Sequence, residues 1–137
     1  MQLKRIAFIL PLLMGGLYAS ELDVTTDVEI DDLTIESGDK MVLSAGITLT
    51  VNGNLVISGE LEMADGSVVD AGGNVTVTGT LDMDGSSRLK MTGDLTFTAG
   101  ILEAADGTGI DLDGGASQTI TGTIAAGNFK SITRRGN

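Results

Sequence analysis

The glycines of this chain recur at a nearly fixed interval. Gly53, Gly73, Gly93, Gly115 and Gly136 are 20, 20, 22 and 21 residues apart. Gly38, Gly59, Gly79, Gly100 and Gly122 are 21, 20, 21 and 22 apart, and Gly46, Gly66, Gly85, Gly107 and Gly127 are 20, 19, 22 and 20 apart. The glycines cut the text into units of six to eight residues, such as ITLTVNG, NLVISG and ELEMADG. Units this short have no core of their own, so they bury apolar surface only by stacking one turn of chain on the next. Glycine suits the corners, where a sharp turn often needs φ > 0.

Apolar and polar residues mostly alternate within the units, which sends every second side chain inward. On the first face the inward columns read Val28, Leu49, Val69, Leu89, Ile110, Ile132 and Ile30, Val51, Ala71, Met91, Leu112. On the second they read Leu33, Leu55, Val75, Leu95 and Ile35, Ile57, Val77, Phe97, Ile120. The third has Met41, Leu61, Leu81, Leu102, Ile124 and Leu43, Met63, Met83, Ala104, Ala126. Six aliphatic columns held over at least four turns predict an all-β fold, a three-sided right-handed parallel β-helix of about five turns of 20–22 residues. A narrow core of this kind has little room for rings, in keeping with 3% aromatic residues.

Asn54, Asn74 and Asp94 each follow a first-series glycine, which predicts a short ladder of stacked side chains. With GNLVISGELEM, GNVTVTGTLDM and GDLTFTAGILEA, this resembles the repeats of bacterial secreted right-handed parallel β-helix proteins, the autotransporter-passenger and filamentous-adhesin-like solenoids. The resemblance spans residues 27–128 and is one of repeat type. It implies extracellular or cell-surface display, in adhesion or as a passive stalk, and it carries over no catalytic residues.

Composition removes several chemistries. The 137 residues include no His and no Cys, so the usual zinc sites, thiol nucleophiles, Ser-His-Asp triads and disulfides are excluded. Few aromatics leave no stacking platform for sugars or bases. A net charge of −11 repels nucleic acid and anionic membranes. The first twenty residues have Lys4 and Arg5, an apolar run from Ile6 to Leu17 and small residues at Ala19 and Ser20, the pattern of a signal peptide cleaved after Ala19 or Ser20. The expected division is 1–20 leader and 21–137 solenoid, with no membrane span in the mature chain. From Glu21 onward there are 19 acids against 6 bases, net −13. All the acids fall between Glu21 and Asp113, whereas Lys130, Arg134 and Arg135 stand in the last ten residues.

Function must then be sought among outward residues. The second face offers Thr34, Val56, Thr76, Thr96, Thr119 and Glu36, Ser58, Thr78, Thr98, Thr121, so three successive turns show Thr-x-Thr. Flat threonine ladders resemble those of β-helical antifreeze proteins, which implies ice binding; the plainer account is that Thr is a good outward strand residue that stacks on itself. The third face stacks Glu62, Asp82 and Glu103, with Asp65, Asp84 and Asp106 preceding the corner glycines. A bridging Ca²⁺ would relieve the repulsion, but no dedicated calcium motif is present, and a solvated acidic face explains the residues as well. The first face has Thr50, Asp70, Lys90 and Asp111 with Arg88 beside them, read as an exposed charge ladder. A polysaccharide-lyase use of Arg88 as base would need a groove walled by long loops, against the tight uniform turns. Asn74-Val75-Thr76 fits a glycosylation sequon and is read as coincidental.

The ends look thinly capped. Glu21–Thr26 is a short polar segment that covers the first turn only in part, and FKSITRRGN starts a turn in which Arg134 falls at an apolar position. Either the chain is a truncated piece of a longer surface protein, or its ends stack into fibres. The expectation is a secreted or cell-surface structural or adhesive module, outer-membrane or periplasmic placement included. No catalytic, cofactor or metal residues are assigned, and partners are surface or matrix components or further copies of the chain. Ice binding and calcium stabilisation are the alternatives, with a lyase-like fragment last.

Overall fold

Residues 21–115, 117–127 and 132–134 are described by a computed structural model; the segment read as a signal peptide lies outside the described residues. Alternation of side chains sets the architecture. Strands such as Thr48–Val51, Glu60–Met63 and Arg88–Met91 bury every second residue, and each strand pairs in parallel with the one a turn later. The result is a parallel β-solenoid of about five turns, with no helix among the described residues.

The first face is one six-stranded sheet of β2 (Val28–Ile30), β5 (Thr48–Val51), β8 (Val68–Ala71), β11 (Arg88–Met91), β13 (Gly109–Leu112) and β15 (Ile132–Arg134). The second face holds β3 (Leu33–Ile35), β6 (Leu55–Ile57) and β9 (Val75–Val77). The third holds β1 (Glu21–Val24), β4 (Lys40–Leu43), β7 (Glu60–Met63) and β10 (Thr80–Met83). Two longer strands, β12 (Leu95–Ala104) and β14 (Ile120–Gly127), run on from the second face to the third and join them into one nine-stranded sheet. β12 rounds its corner at Ala99, the one described non-glycine residue at positive φ (57°).

The inward columns meet in a single aliphatic core, in which Ile30, Leu43, Leu55, Leu61, Val69, Leu81, Met91 and Leu102 are fully buried. Burial at this level stabilises each large aliphatic side chain by about 1.5–3 kcal/mol. It also pins the register, because a slip of one residue would turn the whole set outward.

Three expectations are corrected. Glu21–Thr26 is more than a polar cover: β1 adds a rung to the third face, Leu22 against Met41 and Val24 against Leu43, with Val24 buried. The fifth turn is also out of the expected register. Ile120 pairs with Leu95 rather than Phe97 and is exposed, while Gly122 stands opposite Phe97, and Ile124 and Ala126 pair with Gly100 and Ile101 rather than Leu102 and Ala104. The cause is the longer corner at 113–119, where Gln118 bonds the Met91 and Gly93 carbonyls and the Gly114 N–H. Finally, the glycine series differ in purpose. Gly46, Gly66, Gly85 and Gly107 have positive φ, but Gly53, Gly73 and Gly93 do not. A Cβ at Gly73 would lie 2.5 Å from the Asn54 Oδ1 and 2.7 Å from the Gly53 carbonyl oxygen, so close stacking is what excludes a side chain there.

Candidate functional surfaces

The second face is lined by hydroxyls. Register places Thr76, Thr96 and Thr121 in one column and Thr98 beside Thr123 in the other, with Thr78 one residue beyond β9. The Thr-x-Thr pairs of three successive turns are therefore Thr76/Thr78, Thr96/Thr98 and Thr121/Thr123; the expected pair Thr119/Thr121 is two residues out. Among the described residues none of these six hydroxyls takes part in a hydrogen bond, and all six side chains are exposed or half-buried. Glu36 is the one charge among the outward columns from Thr34 to Thr123, in a chain of net −11. Neighbouring rungs are about 4.8 Å apart, and alternate residues along a strand about 7 Å.

Thr119 has a different role, which the glycine count concealed. Asp32 Oδ1 accepts the Asn54 N–H at 2.8 Å, Asn54 Oδ1 that of Asn74 at 2.9 Å, Asn74 Oδ1 that of Asp94 at 2.8 Å, and Asp94 Oδ1 that of Thr119 at 2.8 Å. The expected Asn54–Asn74–Asp94 ladder is present, longer by one rung at each end. It works by side chain to backbone, one turn to the next.

The third face carries the acids. Val42, Glu62, Asp82 and Glu103 follow one another in register, with Lys40, Glu60 and Thr80 in the adjoining column. Lys40 is the built-in counter-ion: its Nζ lies 2.6 Å from Glu62 and 3.3 Å from Glu60, and those bonds hold its pKa above the usual lysine range. Asp82, partly buried and faced by Asp84, Glu103, Glu62 and Glu60, has its pKa raised, by burial first and by those charges second. Glu60, Glu62 and Asp82 offer carboxylate oxygens within 4.8 Å of one another, the oxygen-rich set that Ca²⁺ takes. An ion there would compete with Lys40 for two of the three carboxylates.

Asp65, Asp84 and Asp106 each precede a corner glycine, but Asp84 is out of line with Asp65. The turns close by N–H to carbonyl bonds from Ser67 to Ala64, Ser87 to Asp84 and Thr108 to Ala105, which aligns Asp84 with Ala64 and Ala105. Asp65 instead accepts from the Ser86 N–H at 2.8 Å and the Ser86 hydroxyl at 3.0 Å, and these bonds lower its pKa.

On the first face Thr50, Asp70, Lys90 and Asp111 do stand in register. The charge ladder is nevertheless not an Asp70–Lys90–Asp111 chain. Asp111 is fully buried and takes both nitrogens of a fork from Arg88, Nε at 2.8 Å and the terminal nitrogen in a second bond. Arg88–Asp111, Lys40–Glu60 and Lys40–Glu62 are ion pairs, and among the described residues none involves Asp70 or Lys90. The bond to Asp111 raises the pKa of Arg88, the opposite of what a catalytic base needs. An open trough runs along the corner between the second and third faces, lined by Gly38, Gly59 and Gly79 with Lys40, Ser58 and Thr80 at its edges. Glu21, Asp39 and Glu60 also line it, and Lys40 is paired with Glu60.

Missed in the sequence were Lys40 as counter-ion, Asp32 as first rung and Arg88–Asp111 as a pair. Lys40 and Arg88 each lie about one period from a partner in the same or next outward column, so the period held the signal. No protein-family model, no curated protein and no solved structure matches the chain.

Proposed function

We propose that this chain is an exported structural or adhesive module, displayed outside the cell or at a bacterial surface, that acts through its faces and performs no catalysis. The observation that carries the reading is the uniformity of the turns. Between Lys40 and Met91 the corners have only two to four residues, so no loop rises to wall a reaction site. The leader-like segment supports export, and the resemblance to autotransporter-passenger and adhesin-like repeats supports display. The commitment of Arg88 to Asp111 weighs against lyase chemistry. Expression of the full chain in a Gram-negative host tests export: N-terminal sequencing is expected to begin at Ser20 or Glu21, and an intact Met1 in the cytoplasm contradicts it. Beads coated with the chain from Glu21 test adhesion, and retention on cells or matrix no greater than on albumin-coated beads contradicts that part.

A second reading is favoured by the threonine face. Six uncommitted hydroxyls in a regular, charge-free array match an ordered lattice of water better than a soluble polymer, which hydrates as readily as the face does. This reading expects crystal shaping in a nanolitre freezing assay, lost in Thr96→Lys; unshaped growth of ice in the unaltered chain contradicts it.

A further inference from the structure

We propose that Asp84–Gly85 is a modification site, at which the folded chain undergoes spontaneous aspartate isomerisation. The sequence has five Asx–Gly steps, Asn52–Gly53, Asp65–Gly66, Asp84–Gly85, Asp106–Gly107 and Asp113–Gly114, and glycine at the second position leaves the attacking amide unhindered. The structure separates them. At Asn52 the side-chain amide donates to Glu29 at 3.0 Å and the Gly53 N–H is bonded to the Asp31 carbonyl at 2.6 Å. The Asp65 carboxylate holds two bonds from Ser86, which favour its ionised form and tie it to the next turn. Asp106 is engaged, and the Gly114 N–H donates to Gln118 at 2.7 Å. Asp84 is exposed and, among the described residues, neither its carboxyl group nor the Gly85 N–H has a hydrogen-bond partner. The misalignment of this corner is the cause: Gly85 occupies the place that Asp65 holds one turn earlier, so Asp84 lacks the next-turn N–H that Asp65 caps.

The reaction needs water alone. The Gly85 amide nitrogen attacks Cγ of the neutral Asp84 carboxyl group, a C–N bond forms, the amide proton leaves, and the carboxyl hydroxyl departs as water. Water then opens the succinimide. Attack at Cγ restores aspartate, and attack at the main-chain carbonyl carries the backbone through Cβ and frees the α-carboxylate. The product has one extra methylene in the chain and loses the carbonyl that accepts the Ser87 N–H at 3.1 Å, so it loosens the corner between β10 and β11.

The test is prolonged incubation of the folded chain at neutral pH in heavy-oxygen water, followed by peptide mapping. Isoaspartate with heavy-oxygen uptake is expected at Asp84 roughly tenfold faster than at Asp65, whose charge-assisted bonds must break first. In denaturant the two sites are expected to react alike. Asp84→Glu, which keeps the charge, should abolish the product at this corner, and Asp84→Asn should deamidate there with its readable mass change. Equal rates at Asp65 and Asp84 in the folded chain, or an inert Asp84→Asn, overturn the proposal.

Discussion

Ser67, Ser87 and Thr108 occupy equivalent buried positions at one corner, yet they are not equally satisfied. The Ser67 and Thr108 hydroxyls donate to the carbonyls of Ala64 and Ala105, both at 2.8 Å, whereas the Ser87 hydroxyl has no partner among the described residues. A buried hydroxyl without a bond costs about 1–3 kcal/mol of desolvation. Ser87→Ala is therefore expected to leave stability unchanged or raise it by up to about 1 kcal/mol, and Ser67→Ala to lower it by about 0.5–1.5 kcal/mol, read from urea midpoints. Equal losses in both variants would show that the Ser87 hydroxyl is bonded after all. This contrast was not legible in the sequence, where both residues are a Ser after a Gly-containing corner. It arises because Asp84-Gly85-Ser86-Ser87 puts its positive-φ glycine one place earlier than Ala64-Asp65-Gly66-Ser67.

Among elements, legibility depended on how regular the repeat was. β5, β6, β7, β8, β9, β10 and β11 follow the expected columns because apolar alternation and burial select the same register. β14 departs because the corner at 113–119 adds residues, and glycine spacing does not report where an insertion is absorbed. Charge pairing was the least legible, since a column of acids does not show which cation reaches it. On the third face, the raised pKa of Asp82 means that the folded chain holds this proton more tightly than the unfolded one. The ionised form therefore detracts from stability at neutral pH, and stability should rise as pH falls through the folded pKa towards the unfolded value. Asp65 acts in the opposite sense: its lowered pKa contributes stability that is lost as pH falls through the folded value. Thermal melts are expected to show Asp82→Asn above the unaltered chain at neutral pH, with the difference shrinking on mild acidification. A variant that melts lower at neutral pH would contradict the repulsive column.

At the scale of the molecule, the faces divide the labour: hydroxyls on the second, acids with one counter-ion on the third, and an ion-paired patch on the first. The last described turns are tied together by Arg88 and Asp111, strand β11 to strand β13. Removing the guanidinium would take two charge-assisted bonds from a buried carboxylate, so Arg88→Ala should cost about 1.5–3 kcal/mol, far more than Lys90→Ala on the same face. Comparable small losses in the two variants would make the pair a surface contact. The central claim is that the chain climbs one strand spacing per turn. Because there is no cysteine, spin labels at Thr34→Cys and Thr121→Cys report one distance without interference. The two positions lie four strand steps apart along the column Thr34, Val56, Thr76, Thr96, Thr121. Double electron–electron resonance should give a narrow distribution centred near about 20 Å, four times the strand spacing. A broad distribution, or a narrow one beyond about 30 Å, would contradict the stacked solenoid.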